Sequence, residues 1–229
     1  DDRLTALEGD DMASSASASV LSLLPPATRR LVDAPPTPRD TASSGDDELA
    51  FPTLAGRVVE LSGQGASAVL TGALGLVRDA QLRGENAAWV QIRPDGFFPP
   101  DVADGGVDLE ALPVVLAGDV GRGGRAATHL LRSGAFGLVV LDLGADAELP
   151  LPLQSRLAGL AQHHGAALLC LTEKPAEAPS LGSLVSLRAE ARREERADGG
   201  YACLLAVQKD KRRGPGSVFS EPCHGPAGL

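Results

Sequence analysis

A glycine turn that follows an apolar strand is the segment of this chain best placed for chemistry. Residues 58–72 read VVELSGQGASAVLTG, which predicts a strand, a turn of small residues and the start of a helix. This arrangement is typical of a phosphate-binding loop, G-x-x-x-x-G-K-[ST], which supplies backbone N–H groups, a lysine for the phosphates and a hydroxyl for Mg²⁺. Counted from Gly63, the last three positions hold Ala68, Val69 and Leu70.

These replacements remove the side chains that a nucleotide needs. A bound triphosphate carries several negative charges, yet Val69 offers no ammonium group and Leu70 offers no hydroxyl for a metal. The nearby hydroxyls belong to Ser67 and Thr71, which we expect to cap the helix or to face the core. We therefore predict a nucleotide-binding fold with a degenerate loop, no cofactor and no catalytic residues.

Other reactive residue types fit structural roles. His163 and His164 precede Gly165, a pattern typical of a helix C-terminus, and no third ligand accompanies them, so we predict no metal site. The chain has 3 cysteines and no C-x-x-C pair. Cys170 and Cys203 lie in apolar runs, which indicates buried free thiols in a reducing cytosol.

Composition restricts the class of protein. The 229 residues carry a net charge of −9, which argues against broad binding of nucleic-acid phosphates, and aromatic residues make up 3%, which leaves few platforms for stacking bases. No stretch approaches the roughly 18 apolar residues of a membrane span, and nothing resembles a signal peptide. We expect a cytoplasmic location and no membrane partner.

The first 50 residues differ from the rest. Their Ser/Ala, proline and acidic runs predict a mobile arm or linker over 1–50, followed by one α/β domain over 51–229. An apolar island at 20–32, VLSLLPPATRRLV, interrupts the arm, and two prolines break any helix there. It either docks on the domain's own sheet edge or binds a partner.

From residue 55 onward, strands and helices alternate. This alternation predicts an α/β fold with a mainly parallel sheet and helices on both faces. Two strands across a Gly-Gly turn predict a C-terminal hairpin on the sheet edge. Strands are predicted at 56–63, 86–92, 112–118, 137–144, 166–174, 183–193 and 201–211, and helices at 66–84, 124–135 and 151–166.

The order of these segments resembles the RecA-like ATPase core over about residues 55–220. GRVVELSG is similar to the strand before the phosphate-binding loop, and GVDLEALPVVLAG to the family's G-V-D-x-x-x-L phrase. LLRSGAFGLVVLDLG resembles the helix and Walker B strand, with Asp142 as the Walker B aspartate. LAVQKDKRRGPG resembles the late V-x-K-N-K segment.

Departures from that pattern point to one branch of the family. Arg93 stands where the ATPase has its catalytic glutamate, and Glu173 where it has a phosphate-sensing glutamine. Lys209 and Lys211 match lysines that reach the neighbouring subunit's ATP in RecA filaments, but Asp210 replaces the asparagine between them. The segments that would hold the two DNA-contacting loops are also much shorter than in a recombinase.

A degenerate RecA core of this kind resembles the ImuA family, RecA-like accessory proteins of the bacterial damage-inducible mutagenesis cassette. The resemblance implies a non-catalytic adaptor in SOS-induced error-prone translesion DNA synthesis. It implies RecA and the ImuB-type polymerase-like hub as partners, and an error-prone replicative-type polymerase indirectly. Lys209, Lys211, Arg212 and Arg213 are the candidate contacts to a partner or DNA, the alternative being a solvated basic edge strand.

Two other functions remain open on the sequence. A divergent RecA-paralogue ATPase needs a phosphate-contacting cation, and Arg93 is the best candidate. A DNA-binding modulator of recombination would use the cations between Lys209 and Arg213, and its affinity would fall steeply with salt.

Overall fold

The structure is a computed structural model that describes residues 49–223, apart from residues 66, 95, 146–147 and 197–199. Almost all of the predicted arm, with its apolar island at 20–32, lies outside the described residues. For residues 221–223, Cys223 included, the structure describes the backbone and not the side chains.

One mixed sheet of eight strands forms the centre of the described chain. The strands, in the order 3-2-4-5-1-6-7-8, are β1 (Val58–Ser62), β2 (Ala87–Gln91), β3 (Val114–Leu116), β4 (Leu138–Gly144), β5 (Ala167–Thr172), β6 (Leu187–Glu195), β7 (Tyr201–Asp210) and β8 (Val218–Cys223). The six strands from β3 to β6 pair in parallel. The predicted α/β class with a mainly parallel sheet is therefore confirmed.

The C-terminal hairpin forms as predicted, but it does not end the sheet. β6 and β7 are antiparallel neighbours, and β6 also pairs in parallel with β1. β8 then pairs antiparallel with β7 and takes the edge position, so the prediction of an edge hairpin is wrong. We did not predict this strand from its sequence, VFSEPC, because proline is depleted in strands and tolerated mainly at sheet edges.

Helices cover both faces of the sheet, as predicted. They are the 3₁₀ helix Phe51–Leu54, α1 (Val69–Leu82), α2 (Pro99–Asp104), α3 (Val120–Arg132) and α4 (Leu151–His164). α2 lies between the strands predicted at 86–92 and 112–118, in a segment for which we predicted no helix. Its Pro-Pro pair occupies the first helical positions, where the missing N–H groups have no intrahelical partner in any case.

Two apolar layers hold the helices to the sheet. Side chains of α1, such as Leu76 and Val77, pack on one face with Trp89 of β2. Side chains of α3 and α4, such as Leu131 and Leu157, pack on the other face. The strands between the two layers are buried on both sides, which explains why their sequences read as nearly continuous apolar runs.

A buried ion pair ties the start of β1 to the end of β7. Arg57 Nη2 lies 2.5 Å from Asp210 Oδ1, and the two side chains are 4% and 6% exposed. Burial raises the pKa of the Asp210 carboxyl, but hydrogen bonds from the Arg212 backbone N–H and the Arg57 guanidinium, with the charge of Arg57, outweigh it. The pKa of Asp210 therefore lies below its ordinary value.

We predict that Asp210→Asn lowers the free energy of unfolding by about 3–5 kcal/mol at neutral pH, because it leaves the Arg57 charge buried without its partner. The matched control is Glu173→Gln. It removes the carboxylate of an exposed ion pair with Arg93 and should cost less than about 1 kcal/mol. Urea unfolding measures both values, and equal losses would contradict the assignment.

The same variant has a predicted pH dependence. Because the folded-state pKa of Asp210 is depressed, its contribution is present above the unfolded value of about 3.9 and is lost as the pH falls through the lower folded value. The stability difference between the wild type and Asp210→Asn should therefore shrink below about pH 4.

Candidate functional site

A cavity of about 390 Å³ opens at the carboxyl ends of four adjacent strands. Open parallel sheets place their ligand sites at this edge. The loop between β1 and α1 contributes one wall, and the ends of β2, β4 and β5 contribute the others. The lining residues are Gly65, Ser67, Val69, Leu70, Ile92, Arg93, Gly96, Asp142, Gly144, Leu171, Thr172 and Glu173.

Backbone N–H groups of the loop between β1 and α1 donate hydrogen bonds to carbonyls of the protein itself. The Gly63 N–H donates to the Thr172 carbonyl (N···O 3.2 Å), and the Ser67 N–H donates to the Gly65 carbonyl (2.8 Å). The Ala68 N–H donates to the Ala191 carbonyl of β6 (3.4 Å). A phosphate-binding loop must aim such N–H groups at the ligand, so three of the donors it needs are already used.

Gly63 lies where the space for a side chain is already filled. A Cβ on this residue would lie 2.6 Å from Ser67 Cβ and 2.8 Å from the Ala191 carbonyl oxygen. It would also lie 2.9 Å from Val69 Cγ2. The glycine therefore permits close packing of the loop on β6, a role that does not depend on a bound phosphate.

The side chains of residues 68–70, where a phosphate-binding loop has its Gly-Lys-Ser/Thr, lie partly in the core and partly at the cavity. Ala68 is fully buried and Val69 nearly so, while Leu70 is 37% exposed and lines the cavity together with Val69. Thr71 was predicted to cap the helix or to face the core, and this prediction is wrong because the residue is exposed. The N-cap position belongs to Ala68, and no side chain caps the helix there. Ser67 is half-buried at the cavity wall.

Arg93 and Glu173, which are 80 positions apart in sequence, form an ion pair at the cavity. Arg93 Nη2 lies 2.8 Å from Glu173 Oε1, and the two side chains are 44% and 56% exposed. The guanidinium lies over Gly144, where an added Cβ would be 2.7 Å from Arg93 Nη2. Among the described lining residues Arg93 is the single cation, and Glu173 neutralises it.

Asp142 lines the same cavity from the end of β4. It lies in register with Gln91 of β2 and Leu171 of β5, just before an irregularity in the pairing of β4 with β5. The structure thus brings Asp142 together with Val69, Leu70 and the Arg93–Glu173 pair. With Asp142 and Glu173 against Arg93, the formal charge of the described lining is negative, which disfavours a polyphosphate.

A buried carboxylate that we did not predict lies beside this site. Glu60 of β1 is fully buried, accepts hydrogen bonds from Thr172 Oγ1 (3.0 Å) and the Leu181 N–H (2.7 Å), and pairs with Lys174 Nζ at 2.9 Å. Burial, followed by the charge of Glu60, raises the pKa of the Cys170 thiol. A single charge inside the apolar strand VVELS was the signal that could have identified Glu60.

The basic cluster lies at the opposite end of the sheet. Asp210 is in register with Leu187, which pairs with Val59 at the start of β1, whereas the cavity lies beyond the end of that strand. Lys209 and Lys211, which were matched to ATP-reaching lysines, therefore do not line the cavity of their own chain.

Most side chains of that cluster contact their own domain. Lys209 Nζ donates to the Gly182 carbonyl (3.5 Å), and Lys211 Nζ donates to the Ser183 carbonyl (2.6 Å). Burial, with the charge of Lys211, lowers the pKa of Lys209. Lys211, Arg212 and Arg213 are exposed, with Arg212 Nη2 3.4 Å from the Ala55 carbonyl oxygen.

The structure also describes the histidine pair and the two cysteines for which we predicted structural roles. α4 ends at His164, and Gly165 follows in the left-handed conformation, as predicted for a helix C-terminus. Cys170 and Cys203 are buried and neither forms a disulfide bond, also as predicted. Within the described residues, no group of three or more His, Cys, Asp or Glu side chains is arranged to hold a metal ion. Nor does that part of the chain contain a helix long and apolar enough to cross a membrane.

The sequence matches no protein-family model, and no curated protein is significantly similar to it.

We predict that Gly63→Ala lowers the free energy of unfolding by about 1–3 kcal/mol, because the added methyl group overpacks the contact between the loop and β6. The matched control is Gly159→Ala in α4, where an added Cβ meets nothing within 4 Å. That change should stabilise by about 0.5–1 kcal/mol through helix propensity. Urea unfolding compares the two, and a neutral Gly63→Ala would contradict the packing role.

Proposed function

We propose that this chain is a non-catalytic, RecA-like adaptor in SOS-induced error-prone translesion DNA synthesis, with RecA and the ImuB-type polymerase-like hub as its partners. It acts in the cytoplasm by presenting a RecA-shaped surface without turning over ATP. An error-prone replicative-type polymerase is reached through the hub. The branch of the RecA-like family that fits this description is the ImuA family.

The fold is compatible with this proposal. The loop with Val69 and Leu70 follows β1 in the middle of the sheet, Asp142 lies near the end of β4, and β5 lies between these strands. The site that a RecA-like ATPase would use therefore has its strands and its cavity in place. The family is proposed from the resemblance of the quoted segments, and the sheet brings the loop after β1 and Asp142 of β4 to one cavity.

The proposal that the chain is non-catalytic rests on one observation, the hydrogen bonds from loop N–H groups to the protein itself. The Gly63, Ser67 and Ala68 N–H groups donate to carbonyls of the protein, and hydrocarbon replaces the lysine and hydroxyl at Val69 and Leu70. Without those donors and that cation, the phosphates would lose hydration and gain little in return. On this proposal, the α/β scaffold remains and the cavity binds no nucleotide.

The Arg93–Glu173 ion pair bears on the divergent-ATPase alternative. That function needs Arg93 as a phosphate-contacting cation, but a triphosphate would first have to displace the Glu173 carboxylate from it. The arrangement therefore favours the adaptor over the enzyme. The DNA-binding alternative keeps the three exposed cations at residues 211–213 as its support.

We predict that the protein binds Mg²⁺–ATP with a dissociation constant weaker than about 1 mM, roughly −4 kcal/mol. Isothermal titration calorimetry measures it, with RecA as the positive control. Glu173→Gln, which releases Arg93 from its partner, tests the enzyme alternative directly. Micromolar binding by the wild type that Arg93→Ala abolishes would contradict the proposal.

We further predict that the protein co-sediments with RecA filaments on single-stranded DNA and not with that DNA alone. Lys211→Gln should weaken filament binding about tenfold, a change of about 1.4 kcal/mol, because it removes an exposed cation next to Lys209. The control is Arg125→Gln, which removes an exposed cation from α3. Retention by bare DNA that falls steeply with salt would instead support the DNA-binding alternative.

A further inference from the structure

The helices α3 and α4 contain no acidic residue, although the chain as a whole is acidic. Residues 120–132 read VGRGGRAATHLLR and residues 151–164 read LPLQSRLAGLAQHH, in a chain with a net charge of −9. The side chains of Arg125, Arg132 and Arg156 are exposed on these helices. Within the part of the chain that the structure describes, none of the three forms a hydrogen bond or an ion pair. The two helices therefore present positive charge that the domain itself does not neutralise.

Two contacts show that α3 and α4 lie side by side and run in the same direction. Near the start of both helices, a Cβ on Gly124 would overlap the side chain of Leu153. Just after the end of α3, a Cβ on Gly134 would lie 3.1 Å from Nδ1 of His164, the last residue of α4. A groove therefore runs between the two helices along their whole length.

Two of the arginines lie on the α3 side of this groove. A Cβ on Gly123 would lie 3.4 Å from Leu141 of β4, so this position faces the sheet, whereas Gly124 faces α4. With about 3.6 residues per turn, Arg125 comes next in the same sense of rotation, on the exposed side of the contact with α4. Arg132 is seven residues later, on nearly the same side and about 10.5 Å further along the helix.

The third arginine lies on the α4 side of the groove. Leu153 faces α3, and Leu157, four residues later, is fully buried on the side of that contact nearest the sheet. Arg156, three residues after Leu153, falls on the other side of the contact, and it is exposed. The groove between α3 and α4 thus has a positive rim on each helix.

The floor of the groove is apolar. Leu153 and Leu160 are seven residues apart on α4, so both project toward α3. Both are half-buried and pack on the apolar layer beneath the helices. The groove therefore combines hydrocarbon at its centre with guanidinium groups at its edges.

We infer that the groove between α3 and α4 is a docking site for an acidic amphipathic helix of a partner protein. A helix laid in a groove buries an apolar stripe against the floor, here the two leucines, and places its flanking residues at the rims. Carboxylates seven residues apart on such a helix are about 10.5 Å apart, which matches the separation of Arg125 and Arg132 along α3. Arginine binds carboxylates through paired hydrogen bonds.

A nucleic acid fits the groove less well than an acidic helix does. The sugar-phosphate backbone offers nothing apolar to the leucine floor. The net charge of −9 also repels an extended polyanion, while a short helix contacts only the groove.

The inference goes beyond the proposed adaptor function, because the groove is a different surface from the contact with RecA filaments that we proposed for Lys211. Arg125→Gln should weaken the binding of an acidic helix and leave filament binding unchanged. The two proposals therefore fail separately.

The binding experiment uses the full chain and a fluorescein-labelled peptide with three repeats of the sequence LAAEEAA, which places glutamates on both sides of a leucine stripe. Fluorescence anisotropy at low salt measures its Kd. R132Q/R156Q should raise the Kd about tenfold, a change of about 1.4 kcal/mol, because it removes one cation from each rim. A change of less than about twofold overturns the inference.

A matched control separates the groove from general positive charge. R78Q/R83Q also removes two exposed arginines from a helix, but α1 packs on the opposite face of the sheet. It should change the Kd of the peptide less than about twofold, since distant charges are screened. Equal losses in both double variants overturn the inference, as does tighter binding of labelled oligothymidylate than of the peptide.

An exchange of charges gives a test in which binding is gained rather than lost. We expect R132E/R156E to bind the corresponding lysine peptide, LAAKKAA, about tenfold more tightly than the wild type does, because ion pairs of opposite sense form at both rims. R78E/R83E has the same net charge and should gain less than about twofold. Equal gains in the two variants overturn the inference.

Discussion

The contact between the loop after β1 and the backbone of β6 is the constraint on which the carboxyl edge of the sheet depends. Gly63 permits that contact because no side chain fits between the loop and the Ala191 carbonyl. The Ala68 N–H then donates to that same carbonyl, which sets the start of α1. With the loop in this position, the Gly63, Ser67 and Ala68 N–H groups donate to carbonyls of the protein. The loop then presents the hydrocarbon side chains of Val69 and Leu70 to the cavity.

Buried charges hold the remaining irregular segment in place. Residues 173–186 cross the sheet without regular structure, yet buried Arg188 donates to the carbonyls of Pro175 and Ala178, and Glu60 accepts from the Leu181 N–H. A buried charge is tolerated only when paired or hydrogen-bonded. Each of these therefore fixes both its strand and the backbone that satisfies it.

The sequence predicted what depends on local pattern. Parallel strands buried on both faces are continuous apolar runs, so β1, β2, β4 and β5 were found within a few residues of their ends. It could not predict α2, whose Pro-Pro start imitates a turn, or β8, whose pairing depends on β7.

The candidate site likewise contains features that could be predicted from local spacing and features that could not. The absence of a lysine and a hydroxyl at Val69 and Leu70 can be read from the sequence itself, because the spacing from Gly63 is local. The Arg93–Glu173 pair joins residues 80 positions apart, and Glu60 is bonded to Leu181 across 121 positions. Such partners become neighbours only through the order of the strands, which no spacing in one sequence reveals.

The placement of the cavity and of the cations Lys211, Arg212 and Arg213 at opposite ends of the sheet has a consequence for mutagenesis. β1 alone spans roughly 17 Å at about 3.3 Å per residue, which exceeds the Debye length of about 10 Å at 0.1 M salt. A substitution of an exposed charge at one end therefore leaves the electrostatic potential at the other end nearly unchanged.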